Sequence, residues 1–329
     1  MLGDVRMRAT ALAAAMALVA ALGGCTGPVS HREGAPLAPP ASPSAAPATP
    51  GPAATPDTSC GDATASLRPQ PGPLPAPGAF PAGSQVRAIY DRGKLIAGVA
   101  EDSLLFGYLN PINNELEGFD IDLVKQVSRA IFGDENHVEY RLITTAQRIP
   151  MIVGGQVDVV AFNFTINCAR WKQIAFSSAY YHAGQRVLVS KSSPANGIQD
   201  LAGKRVCAPA ASTSIDNIAR APGHPVPVAA PDPTDCLVLL QRGQVDAIST
   251  DDTVLLGLTA QDQSMKVVGP KFTDEPYGIG MALTHPDLVR FVNAVLERMR
   301  TDGTWTTNYN RWLAPYAPGA TPPPATYRD

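Results

Sequence analysis

Two arginines, one threonine and a pair of adjacent aspartates are the residues of this chain best suited to hold a small charged molecule. Arg148 and Arg170 each carry a planar guanidinium that can grip a carboxylate through two parallel charge-assisted hydrogen bonds. Thr165, five residues before Arg170, adds a hydroxyl. Asp251 can pair with an ammonium group; its neighbour Asp252 is the alternative, with the other left to cap a following helix. Ser212-Thr213-Ser214 stands between a strand and a helix, and a helix N-terminus with hydroxyls is a ready carboxylate site, plain N-capping being the simpler role. All of this is recognition chemistry. No general-acid and general-base pair stands out, there is no nucleophile elbow, and the five histidines share no spacing. No CxxC or paired-histidine spacing favours zinc. The sequence therefore predicts neither an enzyme nor a bound metal or cofactor.

The elements that must place these groups are announced by a repeat. Gly-Gln-Val-Asp occurs at 155–158 and again at 243–246, an offset of 88 residues. Each copy closes an apolar helical run and opens an apolar strand, which predicts two similar α/β lobes. The same offset aligns Asn163 with Asp251, just beyond the two strands. Ligands of open α/β sheets bind beyond the carboxyl ends of strands, so two facing ends make a cleft.

Hydrophobic period and turn residues fill in the rest. Strands are expected at 94–99, 137–143 and 157–162, with helices at 120–132 and 147–153, the latter with Pro150 in its first turn. The second lobe repeats the theme with strands at 205–209, 226–229, 245–250 and 267–269 and helices at 213–220 and 235–241. Segments 187–190 and 277–283 read as crossovers between lobes. Helices at 286–300 and 304–313, broken by Asp302-Gly303, should pack on the first lobe. The domain reading is a first lobe of 84–188 and 279–314 and a second of 189–278.

Residues 1–24 read as an export signal, with Arg6 and Arg8 before a small-apolar stretch too short for a comfortable membrane span. Leu22-Gly23-Gly24-Cys25 resembles the bacterial lipobox. That resemblance implies lipidation of Cys25 and a protein held at the outer face of the cell membrane by its lipid. Export also permits disulfides. Without Cys25, four of the five cysteines remain. Cys207 and Cys236 both fall in the second lobe and are the first-choice pair, and Cys60 with Cys168 would then tie the preceding segment onto the first lobe. Residues 25–83 hold fifteen of the 32 prolines, interleaved with Ala, Ser, Thr and Gly. They are expected to form a disordered tether of polyproline II character, and 315–329 a disordered tail. The chain has a net charge of −3 with 17% charged residues and no basic patch, which disfavours nucleic acid as a partner.

Several motifs between 92 and 313 together resemble the amino-acid-binding receptors of ABC importers. Gly118-Phe119-Asp120-Ile121-Asp122-Leu123 is similar to the family's GFDxDL signature. Arg148-Ile149-Pro150 followed by Gly155-Gln156-Val157-Asp158 matches its RIPxLxxGxxD stretch, Thr165-Ile166 with Arg170 its TITxxR motif, and 176–181 its FSxPYY motif with Ala179 in place of Pro. Cysteine placement and lipobox look most like the glutamine/glutamate-binding lipoproteins of actinobacteria.

The resemblance implies the two-lobed type II periplasmic-binding fold and a free amino acid, glutamate, aspartate, glutamine or asparagine, as the solute. It assigns Arg170 to the α-carboxylate, with Thr165 offering a hydroxyl on the same lobe, the Asn163 carbonyl near the ammonium and Asp251 paired to that ammonium from the second lobe. It places Ser212 and Thr213 where relatives carry Gly-Thr-Thr, with Ala211 in place of Gly. In relatives that bind acidic amino acids, the arginine matching Arg148 reaches the side-chain carboxylate. Phe106 could stack on the solute, with core packing nearly as good a role. The implied partner is an ABC permease or, alternatively, a transmembrane signalling protein read by the same receptor. A monomer is the family's usual state.

Overall fold

The computed structural model describes residues 57–328. Two five-stranded sheets organise it. In the first sheet the order is Val138–Leu142, Leu95–Val99, Val159–Val160, Gly280–Met281, Ala175–Phe176, with the first three parallel and Gly280–Met281 antiparallel to both neighbours. In the second the order is Val226–Ala230, Arg205–Pro209, Ala247–Asp251, Gln185–Ser190, Met265–Val268, again with three parallel strands and then antiparallel pairs. Parallel neighbours need crossovers, and helices supply them. The architecture is a two-lobed α/β fold.

Both copies of Gly-Gln-Val-Asp build the same joint. Gly155 (φ 63°) ends the helix Arg148–Val153, and Gly243 (φ 66°) follows the helix Pro233–Gln241, each in the left-handed region that glycine enters without steric cost. The Asp158 N–H then donates to the Ile96 carbonyl at 2.8 Å, and the Asp158 carboxylate accepts the Ile96 N–H at 2.8 Å. Asp246 does the same to Arg205, with backbone and side-chain contacts both at 2.8 Å. In each lobe the repeat's aspartate thus pins the start of the neighbouring parallel strand.

The helix Phe119–Phe132 buries Ile121, Val124, Val127, Ser128 and Ile131 at helical spacing and stops at Gly133, whose N–H bonds the Arg129 carbonyl. It begins at Gly118 (φ 134°), where a Cβ would lie 2.3 Å from the Phe106 carbonyl oxygen, so no other residue fits. The helices Pro286–Thr301 and Thr304–Trp312 pack through Leu288, Val292, Val295, Trp305 and Tyr309 into the first lobe's core.

Three expectations are corrected. Segment 187–190 is no crossover: Gln185–Ser190 is an inner strand of the second sheet. The chain passes between sheets through Tyr181–Ala183 and Glu275–Tyr277, paired antiparallel. Residues 57–83 are no disordered tether. Phe80 is buried, its ring 5.9 Å from Tyr90 and 5.6 Å from Phe291, and Asn293 donates to Ser66 Oγ and the Leu67 carbonyl. Nor is the tail disordered over 315–328, since Tyr327–Arg328 pairs in parallel with Ser66–Leu67 and Arg300 bonds the Pro323 carbonyl. Neither segment has a periodic apolar pattern of its own. The first lobe supplies the apolar surface and the hydrogen-bond donors.

Both disulfides join the expected cysteines, Cys60–Cys168 and Cys207–Cys236. Cys25 lies outside the described residues.

Candidate functional site

A cavity lies between the ends of the two sheets, lined by Ser103, Thr145, Arg148, Phe162, Asn163, Thr165 and Arg170 on one side. From the other come Pro209, Ser212, Thr213, Ser214, Pro233, Thr250, Asp251 and Val254. Asn163 and Asp251, the residues aligned by the repeat, both reach it.

Arg170 is buried on the one-turn helix Cys168–Trp171, where Asn167 Oδ1 accepts its backbone N–H. Its Nη1 donates to the Thr165 carbonyl at 2.6 Å. Arg148 opens the next-earlier helix and donates to the carbonyls of Thr145 (2.9 Å), Phe162 (3.2 Å) and Asn163 (3.3 Å). The Phe164 ring holds both guanidinium groups over it, 4.5 Å from Arg148 and 5.0 Å from Arg170. Among the described residues, every hydrogen bond these two guanidinium groups make goes to a backbone carbonyl. Burial pulls the Arg170 pKa down to about 10 and that of Arg148 to about 9, the latter also through repulsion from Arg170. Both stay charged at neutral pH. Two buried cations without a carboxylate partner are costly unless something anionic joins them.

Across the cavity, Asp251 Oδ2 accepts from the Tyr277 hydroxyl while Oδ1 is buried with no hydrogen-bond partner among the described residues. Burial, and then the charge of Glu275, push its carboxyl up to about 8. Asp252 faces elsewhere: it accepts the Gly184 N–H at 3.2 Å and pairs with Lys271 at 3.0 Å. Of the two aspartates, Asp251 is the one at the cavity.

Asn163 is held in a left-handed conformation (φ 42°) from behind. Asp120 Oδ2 accepts its N–H at 2.9 Å, and Asp120 Oδ1 accepts from the Tyr180 hydroxyl at 2.6 Å. Full burial raises the Asp120 carboxyl to about 7. The Asn163 side chain accepts from Ser103 Oγ at 2.9 Å, and its Nδ2 is buried without a partner. The Asn163 carbonyl, expected near an ammonium, already accepts from Arg148.

Ser212 lines the cavity, yet its hydroxyl works as an N-cap: it accepts from Ile215 N at 3.2 Å and donates to the Pro209 carbonyl at 2.6 Å. Thr213 Oγ1 donates to the buried Glu275 at 2.8 Å. Ala211, preceding this helix, sits at φ 56°, a strained value for a residue with a Cβ.

Phe106 is corrected as a site residue. It is fully buried, 5.9 Å from the Phe119 and Tyr181 rings and 5.8 Å from Tyr277, and does not line the cavity. Its backbone carbonyl is committed to the start of the helix Phe119–Phe132 by accepting from Asp120 N. The ring is core.

Two contacts bridge the lobes at the rim. Asp232 Oδ1 accepts from Thr145 N at 3.1 Å and Thr145 Oγ1 at 3.3 Å, and Thr234 donates to Asp102. Sequence reasoning missed these rim residues, and also Phe164, Ser103, Thr250 and Glu275. Phe164 and Thr250 adjoin residues that had been singled out and were within reach of the strand-end argument. Ser103, Thr145 and Glu275 carry no local signal.

Comparison with known proteins sets this geometry in context. Residues 95–315 match the family described as bacterial extracellular solute-binding proteins, family 3. The ABC transporter glutamine-binding protein GlnH of Bacillus subtilis is 36% identical over 227 residues, 69% of this chain and 83% of that protein. The glutamate-binding protein GluB of Corynebacterium glutamicum is 32% identical over 246 residues, 70% of this chain and 82% of its own. Among solved structures, an ancestral arginine-binding protein bound to glutamine superposes with a TM-score of 0.63 at 32% identity, covering 68% of this chain and 98% of that one.

Proposed function

Because the chain belongs to the bacterial extracellular solute-binding proteins, family 3, which are extracytoplasmic receptors and not enzymes, we propose that its interlobe cavity binds one polar amino acid, glutamate, glutamine, aspartate or asparagine, for delivery to an ABC permease. Arg170, with the Thr165 hydroxyl beside it, takes the α-carboxylate. Asp251 takes the α-ammonium through its free Oδ1. Arg148 faces the solute's side chain, and the N–H groups at the start of the helix Thr213–Arg220 lie within the same wall. A lipid on Cys25 would hold a monomeric receptor at the membrane.

One observation carries this reading. Among the described residues, buried guanidinium groups bonded only to carbonyls face, across one cavity, a buried Asp251 oxygen with no hydrogen-bond partner. A zwitterion of the right length gives each side a partner as water leaves: its carboxylate meets the guanidinium groups, and its ammonium meets Asp251 once that carboxyl has shed its proton. Closure then draws its free energy from contacts made with both lobes at once. Among the relatives, the names of the Bacillus and Corynebacterium proteins specify glutamine and glutamate.

Calorimetric titration of the purified chain with each of the twenty amino acids tests the proposal. A transport receptor must also release, so micromolar binding of one of the four, about −8 kcal/mol, is the expected outcome. Heats indistinguishable from dilution for all twenty refute it.

A further inference from the structure

The arginine that grips the solute stands on a turn too short to hold itself. Cys168–Trp171 is four residues long, and an isolated turn of that length does not persist without outside contacts. The first lobe's core supplies some, with the Trp171 ring 5.7 Å from Phe176 and Arg170 over Phe164, and the two ends of the described chain supply the rest. Cys168 is bonded to Cys60, whose N–H also points at Cys168 Sγ at 3.3 Å. Trp171 donates its indole N–H to the Ala63 carbonyl at 2.7 Å, and the Arg328 guanidinium lies 3.9 Å from its ring centroid. Lys172, at the end of the turn, pairs with Asp57 at 2.7 Å.

The two ends hold each other as well. Ser66–Leu67 pairs with Tyr327–Arg328, Ser66 N donates to the Thr326 carbonyl at 3.0 Å, and Ser66 Oγ donates to the Phe176 carbonyl at 2.6 Å. Asp57, Cys60, Ala63, Ser66 and Arg328 all lie outside the 95–315 span that matches the family.

The geometry points to a positioning role: the strap 57–67 and the tail 326–328 fix the turn that aims Arg170, so solute affinity depends on them and not stability alone. The inference rests on the reading of Arg170 as the carboxylate grip. Its physical basis is preorganisation. A guanidinium delivers its paired hydrogen bonds only when held close to the productive geometry. If releasing the strap leaves the turn competent about a tenth of the time, the apparent Kd rises about tenfold.

The test uses two readouts on the full chain: calorimetry with the amino acid the unaltered protein binds, and hydrogen exchange over 165–175 compared with 205–220. The double variant Cys60→Ser, Cys168→Ser should bind about tenfold more weakly and exchange faster over 165–175, with 205–220 unchanged. Arg328→Ala should move both readouts the same way by a smaller factor. Faster exchange with unchanged affinity would make the strap a stabiliser only and overturn the inference, as would unchanged exchange. If the double variant loosens both lobes, Arg328→Ala and a chain ended after Ala320 decide by the same two readouts. Should the unaltered protein bind none of the amino acids, the proposed function fails separately. Exchange over 165–175 then still decides whether the strap holds the turn.

Discussion

The first and second lobes share a joint and part company just beyond it. In both, Gly-Gln-Val-Asp ends a helix, pins a neighbouring strand and starts a strand that runs to the cavity. Past the first strand comes Asn163, left-handed and held by Asp120, followed by Phe164 and the arginine turn. Past the second comes Asp251, leading straight into the helix Asp252–Gln261. The first lobe has one continuous core that takes in the aromatic cluster, the last two helices and the strap. The second has two smaller clusters and a local disulfide across 29 residues. Under the proposed function, the difference teaches how a repeated scaffold would divide a zwitterion: the better-buttressed half carries the cations, and the smaller half brings the carboxyl group.

That division can be broken most forcefully at Arg170. Arg170→Ala leaves the solute's carboxylate buried without its partner and should lose at least about 2 and up to about 5 kcal/mol of binding by calorimetry. Near-unchanged affinity would remove the first lobe's claim to the carboxylate. Asp251→Asn should cost less, about 2 kcal/mol, because a charge-assisted hydrogen bond is replaced by a neutral one. A larger loss at Asp251 than at Arg170 would reverse the ranking of the lobes.

Titration sharpens the same contrast. Asp251, raised to about 8, must shed its proton to meet an ammonium. Affinity should therefore climb with pH, by up to about tenfold per unit, and level off above the Asp251 pKa, with the slope absent in Asp251→Asn. Stability runs the other way. Asp120 and Asp251 titrate near 7 and 8 in the folded chain against an ordinary 3.8, so the folded state binds the extra protons. Their contribution is fully present below the ordinary value and is lost as pH rises through the folded ones. The solute-free melting temperature should fall between about pH 4 and pH 8, and saturating solute should offset the Asp251 share. A melting temperature that rises through this window would contradict the burial of these two carboxyls.

The smallest effect is expected in the second lobe's backbone. Ala211→Gly removes the left-handed strain at φ 56° and should stabilise the protein by about 1 kcal/mol in chemical denaturation. A destabilised variant would show that the Ala211 methyl contributes more than its strain costs.

Much of the scaffold was legible because its signals are local. Helical spacing of Ile121, Val124, Val127 and Ile131, the glycines that stop helices and the apolar strands between them all act within a few residues. The 88-residue offset then joined Asn163 to Asp251 without any three-dimensional information. Segment 57–83 was misread because its burial is borrowed: prolines and small residues form no core alone, but Phe80 settles against Tyr90 and Phe291, and Ser66 bonds Phe176 and Asn293, three of these four lying more than 100 positions away. Phe106 was misplaced for a related reason. An aromatic in a loop near a strand end suits a core as well as a ligand, and only the rings of Phe119, Tyr181 and Tyr277 around it decide the matter. So the sequence by itself determined the repeated joints, the strand ends and the charged groups brought to them, since these follow from period and turn chemistry. Tertiary structure decided which of those groups keep a free bond for the cavity and which spend it on a cap, a carbonyl or a core, because a hydrogen bond's partner is set by neighbours in space.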